Sequence, residues 1–317
     1  MKIMKTVKLL LGLVITGVLL TSCIIEDDYY DNNGGDAVEQ ISLNTLITDY
    51  DLWYVDFHRT TGTGDVPFMS KAFTISFLNG RVYANNNLVN IGFAGNGLGI
   101  QIGNFSTFNE ELQVNHSLDG GYEFDVVQVS GDEIKLIDRF ENVTYYLEGY
   151  NKNVFDYDKI FYENIEYFLQ EYVGWEKTYT SVAGTINEFD NENYLAFTPE
   201  NITTFYSSED DLGTNIDLVN WDYIGAYEIF DVTGYENLKI LTLDYDLGDN
   251  EEFELVVLND GKIELYHVDS DSIYEFEGAD FIQYLKQAGK SSETVRKDGR
   301  KRTKVIRKTK ERRKHLK

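Results

Sequence analysis

The chain contains one cysteine, Cys23, whose position gives its thiol a specific chemistry. Three lysines precede an apolar run over residues 9–20, and small residues then lead directly to the cysteine. A charged start, a short apolar run and small residues before the cleavage point are typical of a secretory signal. The run is shorter than the roughly 20 apolar residues that a membrane-spanning helix needs. We therefore predict that residues 1–22 are a signal peptide.

The same segment resembles a bacterial lipoprotein signal, which ends in a cysteine that becomes the first mature residue. The resemblance implies that Cys23 is acylated and that its acyl chains hold the protein to a membrane. Lipoproteins retained in the inner membrane carry Asp after the cysteine, whereas Ile24 stands there in this chain. We therefore expect a lipid-anchored outer-membrane protein, facing the periplasm or the cell surface, with residues 23–43 as an acidic tether.

A second cluster of chemically active side chains lies near residue 248. Oxygen ligands recur there at nearly alternate positions around a glycine, as in loops that bind Ca²⁺, although position 255 is Leu where an EF-hand loop needs Glu. The candidate ligands are Asp244, Asp246, Asp249 and Glu251. The sequence otherwise predicts no cofactor.

Other catalytic patterns are absent from the sequence. No two of the four histidines lie within five residues of each other, so no local metal-ligand pair forms. Neither a serine-nucleophile motif nor a phosphate-binding loop is present. Carboxylates are abundant enough to supply a hydrolytic pair without marking which residues form it. A non-enzymatic protein is favoured, and an envelope hydrolase that uses a carboxylate pair is the alternative.

Charge is distributed very unevenly along the chain. Residues 290–317 hold 14 of the 28 Lys and Arg, whereas residues 23–289 hold 51 acidic and 11 basic residues. Such an acidic body repels nucleic acid, which is not an expected partner. The basic tail has few apolar side chains, so we predict that it is disordered by itself and that it either binds anionic lipid or glycolipid headgroups or folds back onto the acidic body. The candidate contacts are Arg300, Lys301, Arg302, Arg307, Lys308, Arg312, Arg313 and Lys314.

The elements that would position these groups are mostly strands. Apolar and polar residues alternate strictly in many segments, such as 73–77, 122–126 and 241–246, and turn pairs such as Asn79-Gly80 separate them. Residues 156–172 instead have apolar side chains at helical spacing. We therefore predict an all-β protein with two tandem antiparallel domains joined by an amphipathic helix. The domains are expected to be lipocalin-like barrels or sandwiches, and a cavity in a barrel would take a small apolar ligand.

An internal repeat sets the predicted domain bounds. Tyr50 and Trp53 match Tyr172 and Trp175, and a series of later residues recurs at a constant offset of 129, ending with Gly149 and Gly278. The lipocalin Gly-x-Trp motif is missing from both halves. The predicted bounds are 44–150 for the first repeat, 151–172 for the linking helix, 173–289 for the second repeat with a short terminal helix, and 290–317 for the tail.

Over most of its length the chain also resembles a family of tandem-repeat bacterial envelope lipoproteins, with segments such as LWYVDFHRTTGTGDVPFMSKAFTISFLNGRVYANNN and TSVAGTINEFDNENYLAF. Members of that family are sometimes named nicotinic acid mononucleotide adenylyltransferase. That activity would need an H-x-G-H phosphate motif, which is absent here. The resemblance implies a lipid-anchored envelope protein with a binding or structural role.

Overall fold

The computed structural model of the protein describes residues 42–198, 203–283 and 302–311. Within these ranges the chain is mostly β and forms two eight-stranded antiparallel barrels. The strands of the first barrel are β1 (Leu52–Gly62), β2 (Thr74–Leu78), β3 (Arg81–Asn85), β4 (Ile100–Phe108), β5 (Glu111–His116), β6 (Gly120–Gln128), β7 (Glu133–Asp138) and β8 (Val143–Tyr150). Each strand pairs with the next along the chain, and β8 pairs with β1 to close the barrel.

The second barrel repeats this order. Its strands are β9 (Tyr172–Thr180), β10 (Tyr194–Phe197), β11 (Thr204–Ser208), β12 (Tyr223–Val232), β13 (Tyr235–Tyr245), β14 (Asn250–Asn259), β15 (Lys262–His267) and β16 (Ser272–Phe281). Closure comes from the pairing of β16 with β9 and from that of β11 with β12. A two-residue strand, β17 (Thr309–Lys310), pairs in parallel with β12. Since the strands of each domain form a closed ring of pairings, both domains are barrels, which is one of the two predicted alternatives.

Short helices and turns connect the strands. The described α-helices are α1 (Leu43–Thr48), α2 (Tyr157–Glu163) and α3 (Ile165–Leu169), and single 3₁₀ turns span Ala94–Gly97, Lys152–Val154, Glu188–Asn191 and Ile216–Leu218. Asn79 and Gly80 join β2 to β3 with φ of 51° and 75°. Two central residues with positive φ match the twist of a two-residue hairpin, which explains the Asn-Gly pair.

Apolar side chains of the alternating strands fill the interior of each barrel. Trp53, Phe124 and Tyr145 are fully buried in the first barrel, and Trp175 and Tyr274 are fully buried in the second. Aromatic rings in the second barrel contact one another edge to face or tilted, which is a favourable arrangement of ring quadrupoles. The predicted alternation is therefore confirmed, and both interiors are packed with side chains.

The repeat has a common geometric core at the start of each barrel. Trp53 Nε1 donates to the Ile47 carbonyl at the end of α1, and Trp175 Nε1 donates to the Leu169 carbonyl at the end of α3, each at 2.9 Å. In both barrels the tryptophan is paired across the closing strands with a glycine, Gly149 or Gly278. The indole thus satisfies a helix-end carbonyl that has no partner within the helix.

Each of these glycines leaves room for a tyrosine ring. A Cβ on Gly149 would lie 2.4 Å from Tyr50 Cδ2, and a Cβ on Gly278 would lie 2.5 Å from Tyr172 Cδ1. The same tyrosines contact Trp53 and Trp175 edge to face, at ring-centroid distances of 5.1 and 4.8 Å. The repeated Tyr, Trp and Gly therefore form one packing unit in each barrel.

The connection between the barrels differs from the single amphipathic helix expected over 151–172. A 3₁₀ turn, α2 and α3 replace it, with a break at Asn164, whose φ is −124° and ψ is 33°. The Asn164 amide donates to the Ile160 carbonyl, so the side chain competes with the backbone for helix bonds. The break lets Phe161 and Phe168 both enter one hydrophobic cluster that spans the first barrel, the linker and the second barrel.

Both predicted C-terminal elements also differ where they are described. The short terminal helix of the second repeat is predicted over 280–288, but Asp280 and Phe281 belong to β16 and the next two residues are irregular. Residues 284–288 lie outside the described residues. Residues 302–311 of the predicted disordered tail lie against the body. The prediction counted only apolar side chains, whereas Arg302 is buried against aromatic rings and backbone carbonyls.

Candidate ligand-binding pocket

A pocket of about 650 Å³ opens at one end of the second barrel. The 3₁₀ turn before β10, the segment between β11 and β12, and the turn between β13 and β14 form its wall. Its lining residues are Glu188, Asn191, Glu192, Glu209, Asp222, Tyr223, Ile224, Tyr245, Asp246, Leu247, Asp249 and Glu251. The closure of the barrel brings together side chains that lie up to 63 residues apart in the sequence.

The charge of this lining has one sign. Seven of its twelve residues are Asp or Glu, and none is Lys or Arg. Low-dielectric walls around a concave site strengthen the field of such carboxylates. Tyr223 and Tyr245 add aromatic rings, while Leu247 and Ile224 present exposed apolar surface. This combination suits a cation that carries an aliphatic chain, because ammonium groups interact with carboxylates and ring faces alike.

Glu192 is the buried carboxyl of the pocket. Only 6% of its surface is exposed, and Tyr245 Oη donates a hydrogen bond to Glu192 Oε2 at 2.6 Å. Burial, together with the neighbouring charge of Glu251, raises the pKa of Glu192 to about 7. Near neutral pH this carboxyl therefore exchanges a proton readily, as a general acid or a proton-coupled binding group must.

The local sequence fixes the position of Glu192 through the preceding turn. Asn187 and Asp190 form a reciprocal capping box around the turn Glu188–Asn191. Tyr274 Oη donates to Asp190 Oδ1 at 2.7 Å, which ties the turn to β16. Glu192 follows this turn directly, so its backbone is held from two sides.

Glu251 is held differently from Glu192. Its Oε2 lies 2.5 Å from His267 Nε2, and His267 Nδ1 lies 2.7 Å from Ser270 Oγ. The order of hydroxyl, imidazole and carboxylate is that of a hydrolytic triad, but Ser270 is buried and its oxygen also accepts from Asn187 Nδ2 and the Ser272 amide. We assign this chain of bonds to orienting Glu251 rather than to nucleophilic attack.

Of the four residues suggested as calcium ligands, Asp246, Asp249 and Glu251 line this pocket, and Asp244 does not. Asp244 lies at the end of β13, the Asp249 carbonyl accepts from the Tyr245 amide, and Glu251 is directed to His267. Across the part of the chain that the structure describes, no three His, Cys, Asp or Glu side chains are grouped so that they could hold a metal ion.

The residues suggested for binding an anionic surface are placed in two ways. Arg302 is buried and Arg307 nearly so, each with protein partners, and Lys308 is exposed. The others, Arg300, Lys301, Arg312, Arg313 and Lys314, lie outside the described residues, as do Cys23 and the signal segment.

A second cleft, of about 1100 Å³, lies between the barrels beside the linker. Its cationic side chains already have acidic partners: Arg59 is bound by Glu133 and Lys159 by Glu148, at 2.6 and 3.0 Å. Lys239 is likewise paired with Asp231. Because these charges are matched within the protein, the cleft has less preference for the charge of a ligand than the acidic pocket of the second barrel has.

Sequence reasoning did not single out Glu192 or Tyr245 for this pocket. Neither residue belongs to a motif, and the two lie 53 positions apart in the sequence, on different elements. Only the closure of the barrel brings the two side chains together. The raised pKa of Glu192 depends on that burial and had no signal in the sequence.

No helix in the described ranges is long and apolar enough to cross a membrane. No protein family model, no curated protein and no solved structure matches this chain.

Proposed function

We propose that this chain is a lipid-anchored cell-envelope protein that binds a cationic, amine-bearing molecule in the pocket of its second barrel. The observation that carries the binding role is the lining of the pocket, in which seven carboxylates and two tyrosines face one concavity without Lys or Arg. The anchor rests on the sequence before Cys23.

The chemistry of the pocket supports an amine with an aliphatic part. The carboxylates compensate its charge, and Tyr223 and Tyr245 add aromatic rings to the lining, which can attract an ammonium group. Leu247 is 92% exposed, so a ligand that covers it buries apolar surface. The acidic body also attracts cations over long range, which raises their association rate at low salt.

Calorimetric titration with spermidine tests the binding role. In the Cys23→Ala protein, Glu192→Gln should weaken spermidine binding at least tenfold, whereas Glu236→Gln should leave it unchanged. Glu236 is an exposed carboxylate outside the pocket, so this variant controls for net charge. Equal binding by both variants would mean that spermidine responds only to the overall charge of the protein.

Proton release gives a second measurement of the same binding. Below about pH 7 a large fraction of Glu192 is protonated, so a bound ammonium group should displace its proton. The apparent binding enthalpy should then differ between buffers of different ionisation enthalpy, and this difference should disappear in Glu192→Gln.

Membrane fractionation tests the anchor independently. Replacement of Cys23 by Ala should abolish acylation and move the protein from the membrane to the soluble fraction. Unchanged membrane retention of this variant would contradict lipid anchoring while leaving the binding role untouched.

A hydrolase is the second candidate, favoured by one observation. Glu192 and Glu251 line the same pocket in different environments: burial raises the pKa of Glu192 to about 7, and Glu251 is bound by His267. Two carboxyls in different environments are the usual arrangement of acid and base in glycoside hydrolysis. Release of nitrophenol from a panel of nitrophenyl glycosides, lost in both Glu192→Gln and Glu251→Gln, would favour this function.

A further inference from the structure

The ten residues 302–311, which we call the C-terminal clasp, cross both barrels and the linker between them. Arg302 contacts the first barrel, Arg307 contacts the linker, and Lys310 contacts the second barrel. The contacts follow the order of the residues along the clasp. The segment therefore spans the molecule in an extended path.

Arg302 is the anchor on the first barrel. Its side chain donates to the Val55 and Ala72 carbonyls at 3.1 and 2.6 Å, and its guanidinium lies 4.5 Å from the centre of the Phe73 ring. Only 2% of the residue is exposed. A planar cation with several donors suits such a site, because it can stack on a ring while it donates to carbonyls in its own plane.

Arg302 also contacts the linker at the break between its two helices. Arg302 Nη2 donates to Asn164 Oδ1 at 2.8 Å, and the amide nitrogen of Asn164 donates to Ile160 and to Tyr54. Asn164 is the residue at which α2 ends and α3 begins. The clasp therefore stabilises the bend of the linker as well as the wall of the first barrel.

Arg307 binds the linker helices directly. Its guanidinium forms two parallel hydrogen bonds with Glu166, at 2.7 and 2.6 Å, and Nη2 also donates to the Glu163 carbonyl. Arg307 Nη1 lies 3.5 Å from Asp231 on β12. One side chain thus connects the linker to the second barrel.

The end of the clasp adds a strand to the second barrel. Thr309 and Lys310 pair in parallel with β12, so that the Asp231 and Thr233 amides donate to the Lys308 and Lys310 carbonyls. Lys310 Nζ donates to Glu252 at 2.8 Å and lies over the Phe230 ring. Backbone pairing at one end and a buried cation at the other hold the segment at both barrels.

We propose that the C-terminal clasp docks in cis and fixes the two barrels and the linker in a single arrangement. The cleft between the barrels has Val305 and Arg307 in its lining, so the docked clasp also completes one of its walls. The first barrel, which follows the predicted anchor, and the second barrel with its pocket then move as one body. This inference is independent of the proposed function.

Hydrogen exchange in the full chain tests whether the two ends of the clasp act together. Arg302→Ala removes a contact of the first barrel, yet it should speed exchange of the Asp231 amide on β12 and of the Thr233 amide directly after this strand at least tenfold. Lys308→Ala removes the charge of an exposed side chain of the same segment and should leave these amides unchanged. Unchanged exchange in Arg302→Ala would overturn the proposal, because the ends would then dock independently.

A reciprocal variant protects the test against misfolding of Arg302→Ala. Lys310→Ala alters the partly exposed end on the second barrel and should speed exchange of the Arg302 amide, which donates to the Ser70 carbonyl at 3.3 Å. Protection of this amide at the wild-type level in Lys310→Ala would contradict a coupled clasp.

Sedimentation velocity distinguishes docking in cis from exchange of the clasp between copies. The full chain should sediment as a monomer, with protection of the Asp231 and Thr233 amides that does not depend on protein concentration. A dimer in which this protection rises with concentration would overturn docking in cis.

Discussion

Arg307 and Glu166 form a buried bidentate ion pair, in which Nε donates to Oε1 at 2.7 Å and Nη2 donates to Oε2 at 2.6 Å. Only 9% and 5% of the two side chains are exposed. Glu166 belongs to α3, directly before the second barrel, and Arg307 comes from the basic segment at the end of the chain. The pair therefore joins two parts of the chain 141 residues apart through matched charge.

The first prediction concerns this pair. Arg307→Ala leaves the buried Glu166 carboxylate without its partner, so it should lower the free energy of unfolding by about 3–5 kcal/mol. Arg307→Met combined with Glu166→Leu should cost less than Arg307→Ala, because no buried charge remains. Urea denaturation measures both, with Lys308→Ala as a control expected within about 0.5 kcal/mol of wild type. A loss in the double variant as large as that in Arg307→Ala would contradict the ion-pair explanation.

The second prediction concerns the whole tail. Deletion of residues 290–317 should lower the free energy of unfolding by about 2 kcal/mol or more, through the lost hydrogen bonds of buried cations. The loss should persist in 1 M salt, where the Debye length is about 3 Å. Such salt screens partly exposed pairs such as Lys310–Glu252 but not the buried contacts of Arg302. Thermal and urea unfolding at low and high salt measure this. Equal stability of the two chains at high salt would mean that only screened surface charge holds the tail.

The third prediction uses the repeated tryptophans. Trp53→Phe and Trp175→Phe each remove the same hydrogen bond to a helix-end carbonyl and reduce packing, so each should cost about 2–4 kcal/mol. Trp221 is only partly buried and is the matched control, whose replacement by Phe should cost clearly less. Chemical denaturation of the three variants checks the order, and a larger loss for Trp221→Phe would contradict the assigned role.

The fourth prediction concerns the glycine that faces the ring of Tyr172. A Cβ on Gly278 would lie 2.5 Å from that ring, so Gly278→Ala should destabilise by about 1–3 kcal/mol through overpacking. The same change should cost less in a Tyr172→Ala background, which a double-mutant cycle measures. Gly131→Ala meets no atom within 4 Å and serves as the control. Additive effects of Gly278→Ala and Tyr172→Ala would show that the ring is not the cause.

The fifth prediction follows from the raised pKa of Glu192. Because its folded pKa is about 7 and its ordinary value is 4.5, the folded state retains a proton that the unfolded state has released between these values. The stabilising contribution of protonated Glu192 is therefore fully present below pH 4.5 and is lost as the pH rises through 7. This loss lowers the free energy of unfolding by about 3 kcal/mol in total.

Comparison with a variant isolates this group from the other titrating residues. The amide side chain of Glu192→Gln does not titrate. The free energy of unfolding of this variant, relative to that of wild type, should therefore rise by about 3 kcal/mol between pH 4.5 and about pH 8. Urea denaturation of both proteins across this range measures the difference. A constant difference at all pH values would mean that Glu192 titrates normally.

Much of the barrel architecture was predictable from the sequence, because the period of two along a strand directly reflects which face is buried. The Asn-Gly turn, the alternating segments and the repeated Tyr, Trp and Gly all have matching positions in the structure. The linker was predicted less well. Its apolar spacing is helical on both sides of Asn164, but the competing hydrogen bonds of that amide break the helix.

The candidate site was not predictable in the same way. The abundance of carboxylates was plain in the composition, but which of them share a pocket depends on how the turns meet when the barrel closes. Glu192 follows the turn before β10, whereas Glu251 lies near the start of β14. Burial distinguishes their environments, and burial is a property of the folded chain.

The sequence by itself predicted a signal before Cys23 and determined the two β domains and the opposite charges of body and tail, because these follow from local composition and periodicity. Only the tertiary structure decided that Arg302 is buried, that Arg307 meets Glu166 and that Glu192 lies beside Tyr245. Such contacts join residues that are distant along the chain, and their energies depend on desolvation. Desolvation is set by the surrounding fold and not by neighbours in the sequence.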